Sequence, residues 1–377
     1  MSNTWTSELP RVLLLHAYSP RNSGDGLLVT LAREAIEQAL GPSDIKVVAS
    51  DAEAFHGQEF YQWQAHLPDC LSRRSRRISM LATALLGPTK EIRHLVREAD
   101  LVVAVGGGYL RGGSLGPAIK SWGAHFGQLR LAASEGHKSV YLPQSIGPFK
   151  GIYKRAIERN LAQLHTVYAR DDRTIAEFKS VASMERMPDM AVLELARDPK
   201  QDKKAANLAE RPIFVARELT EPRSYYDLLE AAAVSGNFEW ALQSTGGGND
   251  DFPLTLRLNG RFPRTMKEAL DESQPRIVVS TRLHGALSSL IAGFPAIHLS
   301  YERKGWGAFE DLGLGDYVLN ARDATLPEID ELIERIRENP EKYWAAIDEN
   351  RRNILRRTNS LRETIKSIAL TNLRLTE

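Results

Sequence analysis

The sequence has a single cysteine, Cys70, almost no net charge and no long hydrophobic run. One cysteine excludes an internal disulfide framework and a cysteine-rich zinc cluster, and it is typical of proteins from a reducing cytoplasm. The longest apolar candidate, residues 78–86, is much shorter than the roughly 20 residues of a transmembrane helix. The amino terminus has no basic start and no cleavage site, so we expect no signal peptide and a soluble, cytoplasmic protein.

The charge balance limits the classes of partner. There are 49 Lys and Arg against 48 Asp and Glu, which gives a formal net charge of +1. A dedicated nucleic-acid binder is usually strongly basic, so we expect no nucleic-acid partner. A content of 42% hydrophobic and 26% charged residues is typical of a globular protein and excludes a highly charged disordered chain.

The pattern along the chain predicts an α/β fold. Short apolar runs alternate with longer helical patterns, as in βαβ units on a parallel sheet. The predicted strands are residues 12–15, 45–49, 101–105, 140–142 and 166–169, then 213–215, 241–243, 277–280 and 296–299. The predicted helices are residues 27–40, 119–134, 153–164, 225–234, 265–272 and 285–292.

A length of 377 residues predicts two domains at about 150 residues each. Residues 1–197 form the first predicted Rossmann-like domain, and the polar, charged residues 198–211 form a linker. Residues 212–326 form the second Rossmann-like domain, and residues 327–377 form a helical tail. We expect ligands at the carboxyl ends of the strands, in a cleft between the domains.

A glycine-rich loop follows the first predicted strand. It contains Asn22, Gly24 and Asp25 and leads into a helix, whose first N–H groups can bind an anion or a hydroxyl. The glycine spacing differs from that of a dinucleotide-binding loop, which disfavours NAD. The alternative is that Asn22 and Asp25 only form a turn and cap the helix.

Two other strand ends in the first half carry candidate site residues. Gly106, Gly107 and Gly108, followed by Tyr109, come after a buried strand, where glycines allow a ligand or another backbone to approach closely. The alternative is a structural crossover without a ligand. Arg170 ends another strand, and its planar guanidinium suits a phosphate or carboxylate. The alternative there is a structural ion pair with Asp171 or Asp189.

The most informative segment joins a strand to a helix in the second half. Arg282 and His284 lie within one turn of the predicted helix start. This combination can bind an anion and supply a proton donor, because the ordinary pKa of histidine is about 6.5. The alternative is a histidine that only packs or caps. Lys304, one strand later, is expected at the same edge.

Taken together and in order, these motifs resemble the polysaccharide pyruvyl transferase family. The resemblance runs from near the amino terminus to Lys304. Thr174 stands where many members have serine, and residues 54–90 match nothing in the family pattern. The matching motifs are Asn22-Ser23-Gly24-Asp25, Gly106-Gly107-Gly108-Tyr109-Leu110, Ser145-Ile146-Gly147-Pro148, Ala169-Arg170-Asp171, Pro188-Asp189, Ser280-Thr281-Arg282-Leu283-His284-Gly285, Gly293-Phe294-Pro295 and Tyr301 with Lys304.

The resemblance implies transfer of a pyruvyl group from phosphoenolpyruvate to two hydroxyls of a sugar, which gives a cyclic ketal and phosphate. It also implies a fold similar to GT-B glycosyltransferases. Arg170, Arg282 and Lys304 would bind the phosphate and carboxylate of phosphoenolpyruvate, Leu283 would give a backbone contact, and His284 would be the general acid. Phosphoenolpyruvate is then a co-substrate, and we expect no cofactor and no metal.

The acceptor is expected to be a sugar of a cell-surface glycan or its lipid-linked oligosaccharide precursor. Asp25 is our hypothesis for the base that activates its hydroxyls. Acceptor binding is expected in the first domain, at Asn22, Gly107, Gly108 and Tyr109.

The basic cluster Arg73, Arg74, Arg76 and Arg77 precedes the apolar residues 78–86 and could contact the inner face of the cell membrane. The alternative is a solvated basic face.

Two other functions stay open at this point. A nucleotide-sugar glycosyltransferase of the same fold is disfavoured because residues 286–292 contain no acidic residue for a nucleotide ribose. A non-catalytic binding protein of the same fold is disfavoured because the set of anion-binding residues is complete.

Overall fold

The computed structural model describes residues 9–63, 88–113, 121–197, 207–219, 223–246 and 250–373. The side chains of Arg223, Arg303 and Lys304 are outside this description. Cys70, the basic cluster of Arg73, Arg74, Arg76 and Arg77, the apolar residues 78–86 and linker residues 198–206 also lie outside the described residues. Among the residues that the structure describes, no helix combines the length and the hydrophobicity of a transmembrane segment.

The chain divides into two compact units. The first consists of Met1–Pro20, Leu28–Met190 and Thr358–Glu377, and the second of Arg21–Leu27 and Ala191–Arg357. These boundaries differ from the predicted domains at three places. Residues 191–197, predicted in the first domain, group with the second unit. The loop that contains Asn22 and Asp25 groups with the second unit, and the end of the helical tail groups with the first.

The first unit contains a parallel sheet with seven strands among the described residues. The strand order is β3-β2-β1-β4-β5-β6-β7, so the direction in which strands are added reverses between β1 and β4. This reversal is the topological switch point of a Rossmann-like sheet, where a crevice forms outside the strand ends. The strands are β1 Arg11–Ala17, β2 Asp44–Ala49, β3 Phe60–Gln62, β4 Leu101–Ala104, β5 Ser139–Gln144, β6 Thr166–Ala169 and β7 Met184–Arg186.

The helices of this unit have an apolar face toward the sheet. Strands β4, β5 and β6 are buried along their whole length, as expected for parallel strands covered on both faces. Leu13, Val102 and Tyr141 belong to the same buried cluster as Ile92 and Leu129 of two helices. The helices are Ser23–Leu40, which begins in the second unit, Lys90–Glu98, Gly127–Ser134, preceded by a π-helical turn at Trp122–Phe126, Gly151–Leu161 and Asp172–Glu177.

The second unit contains a parallel sheet of the same type. Its six described strands have the order β10-β9-β8-β11-β12-β13, which reverses between β8 and β11. The strands are β8 Ile213–Val215, β9 Glu239–Leu242, β10 Arg264–Thr265, β11 Val278–Ser280, β12 Ala296–Ser300 and β13 Val318–Asn320. The helices are Met190–Leu195, which begins in the first unit, Arg223–Ser235, Phe252–Asn259, Met266–Leu270, Leu283–Ile291, Arg303–Asp311, Leu326–Glu338 and Pro340–Leu373, which ends in the first unit.

The predicted α/β class and the helical carboxyl-terminal segment are confirmed. Helix starts follow the local sequence signals: Thr265 and Thr325 each form a capping box with a glutamate three residues later. Strands β3, β7, β10 and β13 were not predicted, and each is the outermost strand of its sheet.

Tyr343 provides a test of how the long helix Pro340–Leu373 is attached to the second sheet. Its buried hydroxyl accepts the N–H of Ala296 at 2.9 Å and donates to the carbonyl of Ala296 at 2.7 Å. We predict that Tyr343→Phe lowers the free energy of unfolding by about 1–3 kcal/mol, because both backbone groups lose a buried partner. Urea unfolding measures this. Tyr153→Phe, at a side chain that is 51% exposed, is the control, and equal midpoints for both variants would contradict the assignment.

Candidate functional site

The segment from Ser280 to His284 lies at the switch point of the second sheet, where β11 ends. The Ser280 hydroxyl donates to the carbonyl of Arg282 at 2.8 Å and accepts the N–H of Arg282 at 3.2 Å. These local bonds fix the tight connection between β11 and the helix Leu283–Ile291. Arg282 has an extended backbone conformation immediately before that helix. The sequence-predicted helix start is therefore confirmed to within two residues.

Arg282 forms a buried ion pair with Asp251. Its Nε donates to Asp251 Oδ2 at 2.6 Å, and its Nη2 donates to Oδ1. Both side chains are buried, with 7% and 2% of their side-chain surface exposed. Burial raises the pKa of the Asp251 carboxyl, and the neighbouring Arg282 offsets part of that rise. The guanidinium is thus held in one orientation by a bidentate carboxylate.

This ion pair bears on how the role of Arg282 can be tested. A buried charge that loses its partner destabilises a protein by about 3–5 kcal/mol. Replacing Arg282 alone would leave the Asp251 carboxylate in that state, so loss of activity would be confounded with loss of stability. Its proposed contact with an anionic substrate remains a prediction. His284 is not part of this ion pair, so its replacement is the better test of function.

The loop that follows β1 lies against His284 within the second unit. The N–H of Thr245 donates to the carbonyl of Arg21 at 3.1 Å, and the N–H of Ser23 donates to the carbonyl of Gln243 at 3.3 Å. A Cβ atom placed on Gly24 would lie 2.8 Å from the Cβ of His284. The structure therefore brings together two motifs, one containing Gly24 and the other His284, that are 260 positions apart.

Asn22 and Asp25 interact with each other at the start of the helix Ser23–Leu40. The side-chain amide of Asn22 donates to Asp25 Oδ2 at 2.8 Å, and Asn22 Oδ1 accepts the N–H of Gly24 at 3.3 Å. The backbone carbonyl of Asn22 accepts the N–H groups of Asp25 and Gly26. The capping alternative is thus present in the structure. It orients the Asp25 carboxylate, whose role as a base stays a prediction.

Two further predicted residues begin helices of the second unit. Leu283 is the first residue of the helix Leu283–Ile291, and its side chain is buried. Lys304 is the second residue of the helix Arg303–Asp311. Because its side chain lies outside the described part of the chain, the structure does not test its predicted contact with an anion.

Arg170 forms a similar buried ion pair in the first unit. Its Nη1 donates to Asp189 Oδ2, and its Nε donates to the hydroxyl of Ser145 at 3.0 Å. Asp189 was one of the two alternatives for a structural ion pair. Gly108 lies beside this pair, because a Cβ placed there would be 3.1 Å from Arg170 Nη2. The structure therefore brings Arg170 and Gly108 together.

Gly107 and Tyr109 lie at the switch point of the first sheet. Gly107 has a φ of +139°, a conformation that favours glycine, and it pairs with Gln144 at the end of β5. The Tyr109 ring stacks on the ring of His16, with centroids 4.3 Å apart. Burial raises the pKa of the Tyr109 hydroxyl well above its ordinary value, while nearby Gln144 and Arg170 oppose the rise.

A buried histidine pair that is not predicted from the sequence lies beside Tyr109. His16 Nδ1 lies 3.2 Å from His125 Nδ1, and His16 Nε2 lies 2.9 Å from the hydroxyl of Tyr141. Burial, and to a smaller extent the neighbouring His125, lowers the pKa of His16 well below its ordinary value. His16 also has a positive φ of 67°. The signal in the sequence was a histidine that interrupts an apolar strand next to its carboxyl end.

Comparison with protein families identifies the relationship. A sequence profile described as "Polysaccharide pyruvyl transferase" matches residues 22–303, about three quarters of the chain. The chain belongs to this family. The match contains the loop of Gly24, the ion pairs of Arg170 and Arg282, and His284. A search of curated proteins gives no match.

Solved structures show the fold of this pyruvyl transferase family member. UGT73P12 of Glycyrrhiza uralensis, solved with glycyrrhetinic acid 3-O-monoglucuronide, has a TM-score of 0.53 at 9% identity and covers 98% of both chains. A Polygonum tinctorium UDP-glucosyltransferase has a TM-score of 0.53 at 11% identity over 97% of this chain and 99% of that chain. A Listeria monocytogenes protein described as a UDP-N-acetylglucosamine 2-epimerase has a TM-score of 0.54 at 10% identity over 94% and 95%.

These likenesses confirm the predicted GT-B-like fold with two Rossmann-like units. At identities near 10%, they concern the fold alone.

Gly24 provides a test of the contact between the first loop and His284. We predict that Gly24→Ala destabilises the second unit by about 1–3 kcal/mol, because the added methyl group overlaps the side chain of His284. Thermal unfolding measures the effect. Gly315→Ala is the matched control in the same unit, since its added Cβ would be 3.8 Å from the nearest atom, Glu310 Cγ. Equal unfolding temperatures for the two variants would contradict the contact between Gly24 and His284.

From the lowered pKa of His16 we predict that the free energy of unfolding depends on pH. Below about pH 6.5 the unfolded chain binds a proton at this residue that the folded chain, with its lowered pKa, does not bind. Stability should therefore fall as the pH falls from about 6.5, by at most about 1.4 kcal/mol per pH unit. His16→Asn, which tolerates the positive φ, should reduce this fall.

The control is His56→Asn, because His56 is exposed and has a similar φ of 54°. Urea unfolding between pH 7.5 and pH 5 is the measurement. An unchanged pH dependence in His16→Asn would contradict the buried neutral state of His16.

Proposed function

We propose that this protein transfers the pyruvyl group of phosphoenolpyruvate to two hydroxyls of a sugar in a cell-surface glycan or its lipid-linked precursor. The product is a cyclic ketal, and phosphate is released. Membership of the family supports a transferase of polysaccharide biosynthesis with a sugar or polysaccharide acceptor. The phosphoenolpyruvate donor and the ketal product go beyond what family membership supports, and they are our proposal.

The observation that carries the proposal is the set of residues at the switch point of the second sheet. A fixed guanidinium from Arg282 and an imidazole from His284 lie within one turn of the same helix start. The loop of Asn22 and Asp25 lies against that imidazole. A cation, a proton donor and a carboxylate in one place are the groups that the addition of an alcohol to an enol phosphate needs.

His284 acts as the general acid in this proposal. The enol carbon C3 of phosphoenolpyruvate has to accept a proton before C2 becomes electrophilic. An imidazole can deliver that proton near neutral pH because its ordinary pKa is about 6.5.

Asp25 acts as the base for the acceptor hydroxyls. The first hydroxyl adds to C2, the bond from C2 to the phosphate oxygen breaks, and the second hydroxyl closes the ketal at the same carbon. Of the two hydroxyl protons, one balances the proton gained by C3 and the other leaves with phosphate. The bond from the Asn22 amide to Asp25 Oδ2 holds the carboxylate in place for this step.

Charge is the second requirement, because phosphoenolpyruvate carries close to three negative charges. Arg170, Arg282 and Lys304, with a backbone contact from Leu283, remain our proposed donor-binding groups. Asn22, Gly107, Gly108 and Tyr109 remain the proposed acceptor-binding residues. We also propose that the protein acts in the cytoplasm, with peripheral contact to the inner face of the membrane through Arg73, Arg74, Arg76 and Arg77.

A nucleotide-sugar glycosyltransferase is the alternative. The helix Leu283–Ile291 has no acidic side chain that could bind a nucleotide ribose, so no residue of this helix favours that function. Thermal stabilisation by phosphoenolpyruvate, but not by a nucleotide sugar, separates the two proposals.

His284→Gln tests the general acid. We predict that it lowers phosphoenolpyruvate-dependent phosphate release with a sugar acceptor by about 10²–10⁴-fold, because the proton for C3 is lost. Asp25→Asn should lower it by a comparable factor. Thermal unfolding should show both variants folded.

His94→Gln, at an exposed position, is the control and should keep the activity of the wild type. Turnover close to that of the wild type in folded His284→Gln would overturn the assignment of the acid. The same result in Asp25→Asn would remove that residue as the base.

A further inference from the structure

A second arginine, Arg217, flanks the switch point of the second sheet. Strand β8 ends at Val215, and the N–H of Thr281 donates to the carbonyl of Val215 at 2.9 Å. The parallel register pairs Val215 with Ser280. Arg217 and Arg282 therefore follow the ends of adjacent strands, each two residues after this last pair. Ligands of Rossmann-like sheets bind at this point, outside the carboxyl ends of the two strands.

Two tyrosines position Arg217. The hydroxyl of Tyr225 donates to the carbonyl of Arg217 at 3.1 Å and lies 2.8 Å from the hydroxyl of Thr281, so it joins the two strand ends. The Nη1 of Arg217 donates to the hydroxyl of Tyr301, and its Cζ lies 4.9 Å from the centre of the Tyr301 ring. The hydroxyl and the aromatic ring of Tyr301 thus orient the Arg217 guanidinium.

Arg217 also shares an electrostatic partner with Arg282. The positive charges of both residues favour the ionised form of the buried Asp251 carboxyl. Asp251 is bonded directly to Nε and Nη2 of Arg282. The charges of two guanidiniums that follow neighbouring strands therefore act on the same carboxylate, and Arg282 is bound to it through two hydrogen bonds.

We propose that Arg217 binds an oxyanion of the donor, with Tyr301 as its positioning residue. This inference rests on the proposed function, because the donor is taken to be phosphoenolpyruvate. A ligand with close to three negative charges needs more than one guanidinium. One edge of the Arg282 guanidinium is hydrogen-bonded to Asp251. Arg217 follows β8, on the other side of the switch point, and Tyr301 orients its guanidinium.

Arg217→Ala and Arg217→Lys test the inference in the full-length protein. Isothermal titration with phosphoenolpyruvate should show binding that is roughly 10- to 100-fold weaker for Arg217→Ala, because a hydrogen-bonded charge is lost. Arg217→Lys should recover part of the affinity, since it keeps the charge without the planar fork. The KM for phosphoenolpyruvate should rise in parallel.

Tyr301→Phe tests the positioning role. It keeps the ring and removes the hydroxyl, and it should weaken phosphoenolpyruvate binding by roughly fivefold, as for the loss of one hydrogen bond. The double variant with Arg217→Ala should bind no more weakly than Arg217→Ala alone, because Tyr301 acts through Arg217. A purely structural role would lower the unfolding temperature and leave the dissociation constant unchanged.

Arg257→Ala is the matched control. Arg257 belongs to the same unit and lies over a tyrosine ring, with its Cζ 5.9 Å from the centre of Tyr226, but it is exposed. It should bind phosphoenolpyruvate like the wild type. If the wild type binds phosphoenolpyruvate and folded Arg217→Ala binds it within twofold of that affinity, the inference is wrong. If the wild type binds none, the proposed function itself fails.

Discussion

The buried ion pair between Arg282 and Asp251 is the interaction on which the site of the second unit depends. It joins the end of β11 to the start of the helix Phe252–Asn259, and it holds the guanidinium in a fixed orientation. Each of two charges buried away from water is stabilised by the other. Removing one side chain alone therefore lowers the free energy of unfolding strongly. The ion pair of Arg170 and Asp189 is built in the same way in the first unit.

Fixed charges of this kind favour the binding of the small, highly charged donor that we propose. A guanidinium that is already oriented does not have to lose side-chain freedom when the ligand binds, and its field does not have to reorganise during the reaction. The hydrogen bond from the Ser280 hydroxyl to the carbonyl of Arg282 likewise fixes the backbone around Arg282. His284 stands in the first turn of the following helix, where its position is limited by the backbone of Gly24.

The central strands of both sheets could be predicted from sequence, while the outer strands could not. Strands such as β4 and β11 are buried on both faces and therefore appear as short apolar runs. Strands β3 and β7 are partly exposed, so their residues lack that pattern. Each of these strands is recognised only by its pairing with the neighbouring strand. The same limit applies to the loop of Gly24, because its position after β1 gives no sign that it packs against residues of the second unit.

The residues of the candidate site could be singled out from sequence where a residue type stands out at a strand end, but their partners from elsewhere in the chain could not. Arg282 and His284 follow an apolar strand next to a helix start, so sequence alone singles them out. Asp251 follows shortly after three glycines in the sequence, and nothing local marks it as the partner of Arg282. Arg217 has no glycine or histidine beside it. Only the strand order, which makes β8 and β11 neighbours at the switch point, gives it a place in the site.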